Sequence, residues 1–233
     1  MEKESVASED YELPSAENAQ TLTSFTKTIQ NMVNTEFKIG IPMNIKSDGK
    51  GKLIEITKNN LPAQYRYYAV PKLDKNAFLI ARITGWEKLY LLPGEISLYN
   101  NGAFVGKSYL DPTETLDTME VSLGRDQFIN FERKMVKDYN KNVLIGSQRK
   151  VQRGYEINIR NNKNADIELV VMDQIPISTI SEIEVKLLES GEAKLEESTG
   201  FLTWKMNLKP QEKKKIEFKF SVKYPKDKKI TNI

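Results

Sequence analysis

The chemistry open to this chain of 233 residues is bounded by two absences: it has no histidine and no cysteine. Without histidine it lacks the commonest general base, the commonest zinc ligand and every Ser-His-Asp relay. Without cysteine it lacks thiolate nucleophiles, thiolate metal sites and disulfides, and it is indifferent to redox compartment. Carboxylates, hydroxyls, lysines and aromatic rings remain. Ser24 with Lys27 and Ser47 with Lys50 have the Ser-x-x-Lys spacing in which an amine can take a serine proton. Their S-D-N and K-T-G partners are absent, and the motif needs a helix start where this text reads as strand or turn. Asp138, Asn140 and Asn142 imitate the opening of a calcium loop. Val143 stands where the loop needs glycine and Arg149 where it needs the closing glutamate, so a surface turn is expected. Glu182 and Glu184 lie two apart, on one face of a strand, as an acid and base would, but no apolar neighbours flank both to raise a pKa. Neither phosphate-binding glycine pattern occurs. The expectation is therefore no catalytic residue, no cofactor, no metal and no enzymatic activity.

Binding is the chemistry left. Arg125 and Asp126, in Gly124-Arg125-Asp126-Gln127, and Asp173, followed by Gln174 and Ile175-Pro176, are candidates for a polar crevice between modules. The plainer reading is that they pair across a junction and hold it. Trp86 and Tyr90, with Tyr67 and Tyr68, are candidates for a platform that stacks on sugar faces, against the plainer reading of core aromatics and cross-strand pairs. The lysines between Lys209 and Lys229 could attract acidic polysaccharide, lipid head groups or nucleic acid, but most alternate with apolar residues and read as the exposed face of a strand. With 35 basic and 32 acidic residues the net charge is only +3, a mixed field unlike the one-signed stripe that holds a nucleic-acid backbone. No nucleic-acid partner is expected, and no apolar run approaches the ~18 residues of a membrane span.

The elements that must position these residues are strands. Residues 1–20 are acidic and polar, lack the order of a signal peptide and are expected to be a disordered linker or tail. Leu22, Phe25, Ile29 and Val33 read as a short irregular lead into a strand, and Lys52–Thr57, Tyr65–Val70 and Ala77–Thr84 read as strands. Asn101-Gly102 between Glu95–Asn100 and Ala103–Tyr109 is the strongest hairpin signal, because both residues tolerate the positive φ of a two-residue turn. Period-2 alternation continues through Thr118–Leu123, Asn130–Lys137, Tyr155–Arg160, Ile167–Met172, Ile183–Leu187, Leu202–Leu208 and Ile216–Tyr224. An all-β fold follows, of two consecutive β-sandwich-like modules, 21–126 and 127–228, the second immunoglobulin- or fibronectin-like with about seven strands.

The stretches IKSDGKGKLIEI, YRYYAVPKLDKNAFLIARITGWEKLYLLPGEISLYNNGAFVGKSYLDP, SLGRDQ, NNKNADIELVVMDQIPIS and GFLTWKMNLKPQEKKKIEFKFSVKYPKD together resemble the C-terminal domain of the mucoidy inhibitor A family, a bacterial domain of unknown function. The resemblance implies an all-β domain that follows an N-terminal β domain and a coiled coil. On that basis the chain is expected to be a C-terminal fragment of a protein of the periplasm or cell envelope. It supplies no active-site residues to carry over. The expected function is a non-catalytic interaction or structural module with a protein or glycan partner in the envelope. The alternative is a carboxylate-based hydrolase or transferase acting on polysaccharide in a cleft between the modules. A third reading has the chain scaffold the coiled coil.

Overall fold

Side chains that change face at every second residue leave one apolar face per strand, and only another sheet layer can cover it. The computed structural model describes residues 26–30, 35–40, 42, 44, 47, 49, 54–113, 117–228 and 230, and its regular structure is almost wholly β. The chain divides into two compact units, residues 1–60 and 61–233.

In the first unit β1 (Thr26–Gln30) pairs antiparallel with β2 (Thr35–Ile39). The described part of the expected irregular lead is thus a regular strand. Ile54 to Asn60 has no regular structure, so the strand expected over Lys52–Thr57 is not found among its described residues.

The second unit contains β3 (Ala63–Ala69), β4 (Asn76–Ile83), β5 (Gly94–Asn100), β6 (Ala103–Leu110), β7 (Met119–Met135), β8 (Lys141–Ile145), β9 (Gln148–Asn161), β10 (Ile167–Gln174), β11 (Glu184–Glu189), β12 (Lys194–Glu196), β13 (Phe201–Leu208) and β14 (Lys213–Pro225). Ten of these form one sheet in the order β11-β14-β9-β7-β4-β3-β10-β13-β12, with β8 beside the start of β9. All of its pairs are antiparallel except β3 with β10. Trp204 of β13 and Phe218 of β14 lie near opposite ends of that order, yet their rings are 5.7 Å apart. The sheet therefore curls back on itself, and its two limbs face each other as the layers of a sandwich.

The core follows the alternation. Ile216, Phe218, Phe220, Val222 and Tyr224 of β14 are buried against Val151, Ile157 and Ile159 of β9, Ile129 and Phe131 of β7, Leu169 and Val171 of β10, and Leu202, Trp204 and Leu208 of β13. Each such side chain contributes about 1.5–3 kcal/mol of burial. A smaller core holds Trp86, Met119 and Val121 with Ile83, Ile96, Leu98 and Leu110.

β7 crosses the boundary expected at 126/127. Its first half pairs with β4 and its second half with β9, so one sheet continues through that point. The turn-like signal there has another cause. Gly124 adopts a φ of +90°, and the register against β4 jumps between Asp126 and Asn130, which marks a bulge that bends a long strand.

Candidate functional site

Asp126 lies at that bulge and gathers groups from three elements. Its carboxylate accepts hydrogen bonds from the Tyr67 hydroxyl of β3 at 2.9 Å, from Lys163 Nζ in the β9–β10 loop at 2.6 Å, and from the backbone N–H of Phe128 at 2.9 Å. Burial pushes the carboxyl up, but Lys163, the Phe128 N–H and Tyr67 together outweigh it and hold Asp126 below the usual carboxylate range. Burial pushes the Tyr67 hydroxyl up. Its hydrogen bond with Lys163 works the other way, but with Asp126 adding to burial the net shift is upward. Burial opposes the charge of Lys163, but its bonds to Asp126 and Tyr67 raise its pKa overall. Arg125 points elsewhere, to Asp74 at 3.0 Å and over the Phe78 ring at 5.5 Å. The two candidates at this bulge hold neighbouring elements together, and both carboxylate oxygens of Asp126 are engaged by protein.

Asp173 is fully buried and accepts from Arg133 Nε at 2.7 Å, from Arg133 Nη2 at 3.3 Å, and from its neighbour's backbone N–H at 2.7 Å. The Arg133 guanidinium also lies 3.7 Å from the Tyr155 ring centroid. A desolvated carboxylate is tolerable only with such a partner. Beside the pair a pocket of about 380 Å³ is lined by Lys72, Arg133, Tyr155, Gln174, Pro176 and Phe220, among others. Sequence reasoning missed Arg133. The period carries its signal: Ile129 and Phe131 face the core, so Arg133 must as well.

The expected aromatic platform does not assemble. Trp86 is buried in the smaller core, with its indole N–H unpaired among the described residues, and Tyr67 is buried at Asp126. Tyr90 is exposed and Tyr68 half-buried.

Tyr65 and Phe128 are exposed singly, whereas three exposed aromatic residues share the β5–β6 hairpin, which forms a separate two-stranded sheet. Its turn residues Asn101 and Gly102 take φ of +49° and +79°, as that pair predicts. Ile96, Leu98 and Leu110 seat one face on the smaller core. The other face carries Tyr109 opposite Glu95, Lys107 opposite Ser97, and Phe104 opposite Tyr99. Tyr99 is 62% exposed, Phe104 55% and Tyr109 67%, and the Tyr99 and Phe104 rings meet edge to face at 5.6 Å. Glu95 and Lys107 pair at 2.7 Å on the same face. The result is a two-stranded platform with three aromatic side chains on show and Glu95 and Lys107 paired on the same face.

The remaining candidates make local contacts. Asn140 and Asn142 accept hydrogen bonds on their side-chain oxygens from Gly154 N–H and Arg153, and Asn142 lies in β8. Among the described residues there is no group of three or more acidic side chains that could hold a metal ion. Glu182 pairs with Lys228 and Glu184 with Lys186. Lys215, Lys219 and Lys223 alternate with the buried residues of β14, whereas Lys213 lies before the alternation begins. Ser24 and Lys50 lie outside the described residues, so neither Ser-x-x-Lys pair is placed. No described helix is long and apolar enough to cross a membrane.

Residues 6–226 match the family described as "Domain of unknown function (DUF4139)". A curated relative, Protein F37C4.5 of Caenorhabditis elegans, is 27% identical over 223 residues, which is 89% of this chain and 40% of that protein. The chain thus spans well under half the length of that relative.

Proposed function

The chain belongs to the DUF4139 family, and from that premise we propose that it is a non-catalytic interaction module whose binding face is the β5–β6 hairpin. One observation carries the reading: the hairpin is anchored through Ile96, Leu98 and Leu110, and that anchoring leaves Tyr99, Phe104 and Tyr109 uncovered on a preorganised surface. Tyrosines and phenylalanines held rigidly in the open bring large contact area at little entropic cost, which is why such residues dominate interface energetics. The partner is a protein or a glycan. The resemblance to mucoidy inhibitor A proteins supports a place in the cell envelope.

The alternative, a carboxylate-based enzyme acting on polysaccharide, draws on Glu184 and Glu197, which line one groove of about 650 Å³. A general acid there needs a raised pKa. Glu184 is instead held below its ordinary value, first by the hydrogen bond from Lys186. Glu184 therefore does not fit the acid's role.

A photo-crosslinking side chain at Ser97, on the aromatic face, tests the proposal in cells. Discrete adducts are expected from Ser97 and none from the same side chain at Glu189. A Ser97 pattern no different from that of Glu189 would contradict it.

A further inference from the structure

A row of cationic side chains on the outer face of β7, β9 and β14 carries an inference beyond the hairpin reading. Most of this face is electrostatically complete. Glu132 pairs with Lys134 at 2.7 Å, Lys215 with Glu156 at 2.5 Å, and Lys219 with both Glu217 and Glu189 at 2.9 and 2.8 Å. Asn158 donates to Glu156 at 2.6 Å, so that carboxylate has two partners.

One row breaks the pattern. The register places Lys213 directly opposite Arg160, and Arg160 directly opposite Asn130. Like charges directly opposite on paired strands repel and destabilise a sheet. Neither Arg160 nor Lys213 has a carboxylate in ion-pair reach among the described residues, although the next rows are fully matched. The three side chains line a groove of about 420 Å³ together with Lys214, Lys215 and Glu132, the last two already paired with Glu156 and Lys134. That volume lies in the ~300–1,000 Å³ range of small-molecule sites. The row offers a planar guanidinium fork, a mobile ammonium and a side-chain amide. A fork matches two oxygens of a tetrahedral oxyanion, and a lysine adds a point charge.

We propose that Arg160, Lys213 and Asn130 form a binding site for a phosphate-type dianion, either free or as a monoester. A bound dianion would relieve the repulsion between Arg160 and Lys213 and supply the negative charge that the rest of the face provides from its own carboxylates. Binding requires no covalent step.

The test is calorimetric titration of the full chain with inorganic phosphate and with glucose 6-phosphate, at constant ionic strength so that general screening cancels. Saturable binding of at least one is expected, with Arg160→Gln and Lys213→Gln each weakening it about tenfold or more, a loss of ~1.4 kcal/mol. Lys219→Gln, in the matched network, leaves affinity unchanged. Each glutamine variant should melt no lower than the parent without ligand, since it removes a like-charge contact; if one fails to fold, the other carries the test. Tighter binding of the ester identifies a phosphorylated small molecule as the source, and equal binding identifies the free ion. No saturable heat with either titrant, or the same loss in Lys219→Gln as in Arg160→Gln, overturns the site.

Discussion

The β14 row of Ile216, Phe218, Phe220 and Val222 and the hairpin face of Tyr99, Phe104 and Tyr109 both set large apolar or aromatic side chains on antiparallel strands. Their fates are opposite. The β14 row is closed over by the other limb of the curled sheet, where Phe218 meets Trp204 and stacks on Tyr155 at 5.5 Å. The hairpin aromatics face solvent, because the apolar side of their hairpin is already seated on the smaller core. The contrast teaches that alternation guarantees an apolar face but does not say what covers it. The uncovered one is the face the proposal assigns to a partner.

The sharpest way to break this comparison is truncation on each side. Phe218→Ala should cost about 3–5 kcal/mol in denaturant unfolding, from lost transfer energy and the cavity left in a closed core. Phe104→Ala should cost about 0.5 kcal/mol or little more, mostly its edge contact with Tyr99. Similar losses at both positions would mean that the hairpin aromatics are structural.

The buried ion pair sharpens the comparison further. Asp173→Ala leaves the Arg133 guanidinium without its counter-charge, and a loss of about 3 kcal/mol is expected in the same assay. The double variant Arg133→Met with Asp173→Leu should recover most of that loss, because the desolvated charge goes with its partner. A double variant as unstable as the single one would show that the pair does more than neutralise itself.

A smaller effect is expected at Asp126. Its folded pKa is lowered, so its contribution is present above the unfolded carboxylate value of about 3.9 and is lost as pH falls through the folded one. Asp126→Asn should therefore lower stability at neutral pH and flatten the acid limb of the stability–pH curve. Parallel acid limbs for parent and variant would remove Asp126 from the account.

Much of the scaffold is legible in the sequence. Period 2 marks β9, β10, β13 and β14, and Asn101-Gly102 marks the hairpin turn to the residue. Misreadings come where local signals have two physical causes. Gly124 suggests a linker but makes the bulge that lets β7 pair with β4 and then β9. Asn140 and Asn142 give Lys141–Ile145 the character of a loop, and its pairing with β9 depends on long-range register that no local pattern encodes. Asn161 follows Ile157 and Ile159 in period and is fully buried, but only folding brings the carbonyls of Ala165, Leu208 and Lys209 to its amide. Trp86 and Tyr90 draw notice as aromatic residues, whereas the exposed trio differs only in which face of the hairpin it occupies. The anion groove is invisible for the same reason, since Arg160 and Lys213 meet across strands.

The most direct test of the central claim combines stability with contact. In the variant Tyr99→Ser, Phe104→Ser, Tyr109→Ser, photo-crosslinking from Ser97 is read beside the melting temperature. The account predicts that the adducts vanish while the melting temperature stays within a few degrees of the parent. Adducts that persist, or a collapse of stability that accompanies their loss, would contradict it.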